Sequence, residues 1–596
     1  MKNEFSKLSQ SIKLQVDELI RKFDERKREI QERTEVLSLF RQVQEEQALK
    51  TALDYFGQGE HVAFGVDGSM DMEERMETLI FYVNSALFSC PLYVGEDGVR
   101  ADIGSSKRED ALSAHAAVPM WLEDVPEFIA EEQEASEFDV QQTIERIPNS
   151  FMTLAELWTA YRGLKRWPRS LALLDRSIAG TFVSSMKDLR IALAPDEPLL
   201  TRLEGRHGRP TKLDLALASV LGPGDMSVPR RFPYLSYIAI RRLMEVKEAT
   251  LDELSSYLGL TDERLKDRLL KALRRLNEKH ENRIFELGFG GTFRINREVE
   301  GYWDRVSSAV EEYLKGVFEG EAHPLKLSGD VWLTAYDVSG LSVYLIYMIY
   351  DAARKGGSLV VGITKDSAAS EFTRTVLPLS LASDRALFKL KNDRTLLTFI
   401  SAVHYSSLRT PWRTISYDYG LSYVTYLNGE YVATKKGIGR TQLFAKSYFQ
   451  LRTFRKDPMY RSPVFYYDRF YDERFDSKME LRQKVKIKDR EEEVSFFIER
   501  PDSERNRLDD MIVHLLSRMD NPQVLEALGH NHLLYMADKW VKYEIALIRR
   551  SIDGITRLRL DEFARREKLF MVSRRFRDLR AESERMREEG AREIER

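Results

Sequence analysis

The sequence predicts an α/β protein in which short buried strands alternate with amphipathic helices. Short apolar runs bounded by turn residues are typical of buried strands, and such runs occur at 62–66, 171–174 and 358–364. Apolar residues at three- and four-residue spacing predict helices before and after these runs. Two runs lead directly into carboxylates, Asp67 and Asp175. Because open α/β sheets carry their chemistry at strand ends, these carboxylates are the first candidates for a functional site.

The N-terminal residues 1–50 predict an amphipathic helix. They contain no Gly or Pro and carry apolar residues at helical spacing, namely Leu8, Ile12, Leu19, Ile20 and Phe23. Such a helix packs on the core or on a partner. Residues 55–189 form the first part of an α/β domain, in which a helix at 152–167 precedes the strand 171–174.

Residues 190–325 predict an inserted helical domain that resembles a winged helix-turn-helix. Helices at about 234–246 and 262–278 flank a capping box formed by Thr250 and Glu253, and a Gly-rich hairpin at 287–294 ends the unit. The last helix is basic, with Lys266, Arg268, Lys271, Arg274 and Arg275. It is interpreted either as a DNA contact or as a solvated helix in a protein-contact module.

Residues 326–550 resume the α/β pattern, and 551–596 predict a charged C-terminal helix. A long apolar helix at 338–354 leads into the strand 358–364, and further strand-like runs follow. Tyr417, Tyr419 and Tyr423 are interpreted as alternating sheet residues, with stacking on single-stranded bases as the alternative.

Composition excludes several classes of protein. The chain has 596 residues, of which 92 are basic and 95 acidic, so the net charge of −3 argues against a wholly basic nucleic-acid-coating protein. The single cysteine, Cys90, excludes an intramolecular disulfide and a cysteine-based zinc site. Neither a signal-peptide layout nor an apolar stretch of membrane-spanning length is evident, so a cytoplasmic protein is expected.

Three acidic residues together predict a metal site. Taken singly, Asp67 is typical of a turn, Asp175 of a helix N-cap and Glu156 of a solvated helix face. Together they offer hard oxygen ligands for Mg²⁺ or Mn²⁺, and two such ions can activate water and stabilise a leaving oxygen of a phosphodiester. Lys365, just after the strand 358–364, is a candidate to bind the scissile phosphate or to polarise the nucleophile. The sequence contains no P-loop, Gly-x-Ser-x-Gly or His-Glu-x-x-His motif.

A series of short motifs in order resembles the NurA family of nucleases. In this sequence they are 62–69 with Asp67, 152–156 with Glu156, 173–178 with Asp175, 359–367 with Lys365, 448–451 followed by 461–465, and 529–538 with His530, His532 and Asp538. Arg176 stands where the family has Gly, and the Pro of the family's last motif is absent. The resemblance covers roughly 55–185 and 330–545 and leaves the insertion unexplained.

The resemblance implies an RNase H-like mixed sheet flanked by helices. It also implies a DNA nuclease, either exonucleolytic alone or also endonucleolytic, that uses Mn²⁺ or Mg²⁺. It implies Asp67, Glu156 and Asp175 as metal ligands, Lys365 as a catalytic residue, and Asp538 or His532 as the last ligand. It also implies a homodimer that docks on a HerA-type hexameric ATPase, in DNA repair or anti-phage defence. The alternative is a non-catalytic DNA-binding or scaffold protein built around the winged helix.

Overall fold

The architecture was obtained as a computed structural model, which describes most of the chain. The described residues are 2–75, 78–121, 137–288, 291–320, 323–327, 331–365, 368–381, 388–434, 437–454, 457–476, 480–488, 490–500, 506–521 and 529–567. The predicted C-terminal helix therefore lies partly outside them. Within these residues, no helix combines the length and apolar character needed to cross a bilayer.

Strands are distributed along the whole chain. They are β1 (Phe40–Gln42), β2 (Gly59–Arg75), β3 (Thr78–Gly95), β4 (Gly98–Ala101), β5 (Lys107–Arg108), β6 (Ala114–Trp121), β7 (Leu171–Leu174), β8 (Glu248–Thr250), β9 (Phe285–Leu287), β10 (Thr292–Ile295), β11 (Lys326–Leu327), β12 (Val331–Trp332), β13 (Leu359–Thr364), β14 (Trp412–Thr414), β15 (Tyr417–Asp418), β16 (Val424–Leu427), β17 (Glu430–Ala433), β18 (Phe444–Gln450), β19 (Thr453–Phe454), β20 (Asp457–Arg461), β21 (Phe465–Phe470), β22 (Glu480–Ile487) and β23 (Arg490–Phe497).

Helices separate the strands and flank the sheet that they form. They are α1 (Lys2–Glu32), α2 (Glu45–Phe56), α3 (Glu137–Arg166), α4 (Ile178–Ala192), α5 (Lys212–Leu221), α6 (Leu235–Val246), α7 (Leu251–Leu258), α8 (Glu263–Lys279), α9 (Tyr302–Glu319), α10 (Ala335–Gly356), α11 (Leu377–Leu381), α12 (Asp393–Val403), α13 (Arg507–Arg518) and α14 (His532–Glu567).

One large mixed sheet organises the molecule. Its strand order is β1-β14-β18-β21-β13-β7-β2-β3-β4, with β5 and β6 paired to β3 and β15 paired to β18. The short strand β7 lies at the centre and runs parallel to both β2 and β13. Its register aligns Val66, Leu174 and Gly362 across the three strands. Residues that follow these positions therefore emerge together at one end of β7.

Each strand of the sheet centre sends alternate side chains to opposite faces. On β7, Ala172 and Leu174 pack in the core that includes α3, α4 and α10, and this side is called the α3 face. Leu171 and Leu173 pack with residues of α2, α13 and α14, and this side is called the α14 face. Both faces are covered, which explains why every residue of β7 is apolar and buried.

The structure corrects the expectation that a strand ends at Asp67. β2 continues to Arg75 because it forms a long hairpin with β3, in which Asp67 pairs with Ala86. The neighbouring strand β7 is the one that ends at this level, and the Asp175 N–H donates to the Val66 carbonyl at 3.1 Å. Asp67 thus lies inside a strand, beside the point where its neighbour stops.

The N-terminal region differs from the single helix predicted for 1–50. The helix α1 ends at Glu32, and a 3₁₀ segment (Thr34–Leu39) leads into β1, which pairs with β14 at the edge of the sheet. Burial of Val36 and Leu39 against this edge explains why the helix does not continue. Within α1, the side chains of Leu14, Leu19 and Phe23 are more than half exposed.

The described residues of the predicted insertion form five α-helices and a small antiparallel sheet. From Leu235 to Ile295 the order is α6, β8, α7, α8, β9 and β10, and β10 pairs with both β8 and β9. The predicted capping box is present, with Thr250 and Glu253 each accepting a backbone N–H of the other. Apolar residues of these helices belong to the same buried cluster as α3 and α10, so this region packs directly against the α3 face.

Buried arginines fasten α13 to the sheet on the α14 face. Arg469 on β21 is fully buried between Asp476 and Asp509 and donates to both carboxylates. Arg413 on β14 contacts Glu499 and Asp510 in the same way. Buried charges of this kind are tolerated only when their partners are present.

Replacing Arg469 by Met is therefore expected to reduce the free energy of unfolding by about 3–5 kcal/mol, since it leaves two buried carboxylates without their cation. Denaturant unfolding followed by circular dichroism measures this. The matched control is Arg474→Met, which removes an exposed partner of Asp472 and is expected to cost about 0–1 kcal/mol. Equal losses in both variants would contradict the assignment.

Candidate metal centre

Three carboxylates from distant parts of the chain converge at the end of β7. Asp67, Asp175 and Asp538 each offer an oxygen, and these oxygens all lie within 4.8 Å of one another. Asp67 is 7% exposed, and the other two are partly buried. Of the two alternatives for the last ligand, the structure brings Asp538 to this cluster.

Strand register places the first two carboxylates. Val66 and Leu174 are paired neighbours on parallel strands, so Asp67 and Asp175 follow at the same level. Alternation along β2 directs Asp67 to the α14 face, together with Ala63. Two adjacent parallel strands therefore carry carboxylates side by side, as the sequence predicts.

The helix α14 supplies the third carboxylate. It begins against β2, where a Cβ on Gly65 would lie 2.9 Å from Cβ of Leu533, so only glycine allows this approach. Asn531 caps the helix by accepting the N–H groups of Leu533 and Leu534 at 2.9 and 3.3 Å. One turn later, Asp538 reaches the cluster.

Lys365 lies against this cluster from the third strand. It follows β13 by one residue, and its Nζ is 2.6 Å from Oδ2 of Asp175. The lysine is partly exposed, with 30% of its side-chain surface accessible. It therefore balances one negative charge of the cluster and remains accessible from solvent.

Glu156 approaches from the other side of the sheet and is not among the three clustered carboxylates. It lies on α3, and a Cβ on Gly68 would meet its Cγ at 2.6 Å. Its Oε2 accepts a hydrogen bond from Arg176 Nε, and Arg176 also donates to Thr153 Oγ1 at 2.9 Å. Glu156 therefore already has a cation partner, Arg176.

The electrostatics of the cluster favour a bound cation. Burial raises the pKa of Asp67 from 3.8 to about 9, with added contributions from the charges of Asp175 and Glu156. Burial also raises the pKa of Asp175, although Lys365 opposes the shift. For Glu156, burial raises the pKa more than Arg176 lowers it. A cation in the cluster would stabilise the deprotonated carboxylates.

The donor set fits a small divalent ion. Mg²⁺ binds oxygen at about 2.0–2.1 Å, so oxygens on one ion lie at most about 4.2 Å apart. The three carboxylate oxygens lie within 4.8 Å of one another, so small side-chain movements would bring them to the separation that one ion requires. Carboxylate oxygens are the ligands that Mg²⁺ and Mn²⁺ prefer.

The other candidates lie outside the cluster. His532 Nε2 is 3.3 Å from Ser106 Oγ, and its Nδ1 is 3.4 Å from Asn521 Nδ2, so both ring nitrogens have partners elsewhere. Burial lowers the pKa of His530 to about 3, with an added contribution from the positive charge of Lys365. Tyr417 is fully buried, which excludes stacking on bases, whereas Tyr419 and Tyr423 line a cavity.

Sequence reasoning missed a residue that orients the segment after Asp175. Asp468 on β21 accepts the N–H groups of Ile178 and Ala179 at 2.9 and 3.3 Å and the hydroxyl of Ser177. Ser177, rather than Asp175, is the N-cap of α4. Asp175 is thereby left free of a capping role. Nothing near Asp468 in the sequence indicates this contact, because it joins residues far apart in the chain.

Comparison with known proteins identifies no family. No protein-family model matches the chain, and no curated protein matches it. Among solved structures it is similar to NurA bound to dAMP and manganese (12% identity, 89% of this chain and 93% of that one, TM-score 0.35), NurA with manganese (10%, 91% and 98%, 0.35) and the NurA nuclease from Sulfolobus solfataricus (12%, 93% and 98%, 0.31). These values are too low to assign a function, which must be argued from the site.

The raised pKa of Asp67 predicts a pH dependence of stability in the metal-free protein. The unfolded chain releases this proton near pH 3.8, whereas the folded protein holds it up to about pH 9. The folded state then binds more protons, so this group makes the free energy of unfolding fall as the pH rises between those values. In denaturant unfolding with EDTA, the free energy of unfolding should fall more steeply with rising pH for the wild type than for Asp67→Asn. Identical pH profiles would contradict the shift.

Arg176→Ala is expected to lower Tm without metal, because it leaves the buried Glu156 without its cation. The freed carboxylate should then respond to metal, so Mn²⁺ should raise Tm more in this variant than in the wild type. Differential scanning fluorimetry with and without Mn²⁺ measures both effects. Arg176→Lys, which keeps the charge, is the control. An equal Mn²⁺ response in all three proteins would show that Arg176 does not restrict Glu156.

Proposed function

We propose that this protein is a metal-dependent nuclease that hydrolyses phosphodiester bonds in DNA. The observation that carries the proposal is the convergence of Asp67, Asp175 and Asp538 within 4.8 Å, with Lys365 alongside. Clustered carboxylates that hold a divalent ion beside a lysine form a site suited to a phosphate ester. The sequence motifs around these residues, which resemble the NurA nucleases, support DNA as the substrate.

The three carboxylates and the lysine have different roles in this proposal. Asp67, Asp175 and Asp538 hold Mn²⁺ or Mg²⁺, which when bound supplies a water of lowered pKa and a counter-charge for the phosphate. Lys365 Nζ lies 2.6 Å from Oδ2 of Asp175 and would bind a non-bridging oxygen of the scissile phosphate. Its side chain is accessible enough to contact both groups.

A second ion, which the sequence predicts, would require Glu156. We propose that Glu156 would hold this ion together with carboxylates of the cluster. The guanidinium of Arg176 occupies one oxygen of Glu156 and so opposes the second ion. The two-ion arrangement therefore depends on displacement of Arg176.

The sheet order supports the RNase H-like interpretation. Read from one edge, β4, β3 and β2 are antiparallel neighbours, and β7 and β13 continue the sheet parallel to β2. The motifs imply an acidic residue on the first long strand, which is Asp67 on β2. They imply another after the next parallel strand, which is Asp175 after β7.

The winged-helix interpretation of α6–β10 and the domain limits at 190 and 325 are likewise part of the proposal.

The proposed partners follow from the resemblance. A homodimer that docks on a HerA-type hexameric ATPase would provide the motor that the chain lacks, since no P-loop occurs in the sequence. The exposed apolar residues of α1, including Leu14 and Phe23, support this helix as a contact surface. A cytoplasmic role in DNA end processing or anti-phage defence is proposed on the same basis.

The alternative of a non-catalytic scaffold has less support. The basic helix α8 that suggested DNA binding is partly neutralised within the protein, because Lys266 pairs with Asp252 and Glu263, and Lys271 pairs with Asp267. Arg268 lies over the ring of Phe232 at 4.1 Å. A scaffold would also have no need for three clustered carboxylates that are buried or partly buried.

Asp67→Asn and Asp175→Asn should each reduce metal-dependent cleavage by about three orders of magnitude or more, the scale expected when an essential group is removed. The assay follows labelled single- and double-stranded DNA with Mn²⁺, and EDTA should abolish cleavage by the wild type.

The matched control is Asp267→Asn, an exposed aspartate on α8, which should leave cleavage unchanged. Electron paramagnetic resonance of Mn²⁺ provides a second readout, because the two site variants should bind the ion more weakly than the wild type. Cleavage that persists in both site variants would overturn the proposed function.

A further inference from the structure

A large cavity lies apart from the metal centre, between the sheet domain and the inserted region. Its volume is about 540 Å³. One wall is α4, a second is the 3₁₀ segment Tyr419–Tyr423 with the nearby loop at 438–440, and the inserted region closes it through Ser219, Val220 and Tyr234. Pockets of roughly 300–1,000 Å³ typically hold small organic ligands.

A buried arginine without a counter-charge lines this cavity. Arg440 is only 8% exposed, and its hydrogen-bond partners are neutral: the Tyr347 hydroxyl and the Ser227 carbonyl, the latter at 2.7 Å. Its Nε has no hydrogen-bond partner. Among the described residues no carboxylate forms an ion pair with it. Because an uncompensated buried charge is costly, this environment favours an anionic ligand.

The inserted region holds this arginine in place. Arg231 donates to the carbonyls of Ile438 and Gly439 at 3.3 and 3.2 Å, directly before Arg440. Arg440 in turn donates to Ser227, which also belongs to the inserted region. The loop at 438–440 is therefore held by residues of the inserted region. Such preorganisation lowers the cost of binding a ligand.

The remaining walls combine aromatic rings with further positive charge. Tyr419, Tyr423 and Tyr234 present half-buried rings, and Lys187 and Arg190 are exposed residues of α4. The one carboxylate of the lining, Asp188, is paired with Arg146 at 2.7 Å. The lining is therefore positive and rich in π-faces, a combination that suits a planar base attached to a phosphate.

We propose that this cavity binds a nucleoside phosphate, with the phosphate at Arg440 and the base against Tyr419 and Tyr423. The site goes beyond the proposed nuclease function, because α4 packs on the α3 face whereas the three clustered carboxylates belong to the α14 face. Binding here needs no metal. The ligand is either a free nucleotide or the terminal nucleotide of a DNA strand.

Isothermal titration calorimetry of the full chain in EDTA tests this proposal. The background is Asp67→Asn, so that binding is measured independently of cleavage. The probes are thymidine 5′-monophosphate (dTMP), thymidine, inorganic phosphate and 5′-phosphorylated hexathymidylate. We expect saturable binding of dTMP and at least tenfold weaker binding of thymidine and of phosphate, because each lacks half of the recognised group.

Tyr423→Ala and Arg440→Lys are expected to weaken dTMP binding by about tenfold or more. Tyr405→Ala, which truncates an exposed tyrosine outside the cavity, is the matched control and should bind normally. If Arg440→Lys fails to fold, Tyr423→Ala alone decides the test. Tighter binding of the hexamer than of dTMP supports a strand terminus as the ligand, and the reverse supports a free nucleotide.

Three results would overturn the proposal: no saturable binding of dTMP, phosphate binding as tight as that of dTMP, or unchanged binding in Tyr423→Ala. None of them bears on whether the metal centre cleaves DNA, which is measured separately with Mn²⁺.

Discussion

The parallel pairing of β7 between β2 and β13 is the constraint on which the candidate metal centre depends. β7 has only four residues, and it ends where both neighbours continue. Its end opens a gap in the sheet at the level of Asp67, and Asp175 and Lys365 emerge into the same gap. The register that aligns Val66, Leu174 and Gly362 thus determines the spacing of the charged groups. A register shift would turn these side chains to the opposite face.

Glu156, Asp175 and Asp538 each have a basic partner before any metal binds. Lys365 pairs with Asp175, Arg176 pairs with Glu156, and Lys542 pairs with Asp538 at 2.7 Å. Each cation lies close to a carboxylate, so the metal-free protein avoids the full repulsion of the cluster. The same pairs compete with an incoming ion. Stability without metal and affinity for metal are therefore opposed in this design.

Local sequence patterns predicted the elements well, and tertiary contacts explain what they missed. Runs of apolar residues correctly marked β7 and β13, and the capping signature at Thr250 was confirmed. Asp67 was expected to end a strand, because Asp-Gly is typical of a turn, but pairing with β3 overrides that local preference. The partnership of Arg176 with Glu156 and the reach of Asp468 to α4 join separate segments, so no local pattern reports them. The sequence left Asp538 and His532 as alternatives for the last ligand, because that choice depends on the orientation of α14.

The position of Asp538 on α14 has a consequence for biosynthesis. Asp67 lies in a strand, and Asp175 and Lys365 directly follow strands, that are synthesised well before this helix. Gly65 contacts Leu533 only when the helix docks. During translation, a nascent chain that ends before residue 532 carries two of the three clustered carboxylates and lacks the third. The complete carboxylate cluster is therefore assembled only late in synthesis, so a truncated product would be released with only part of it.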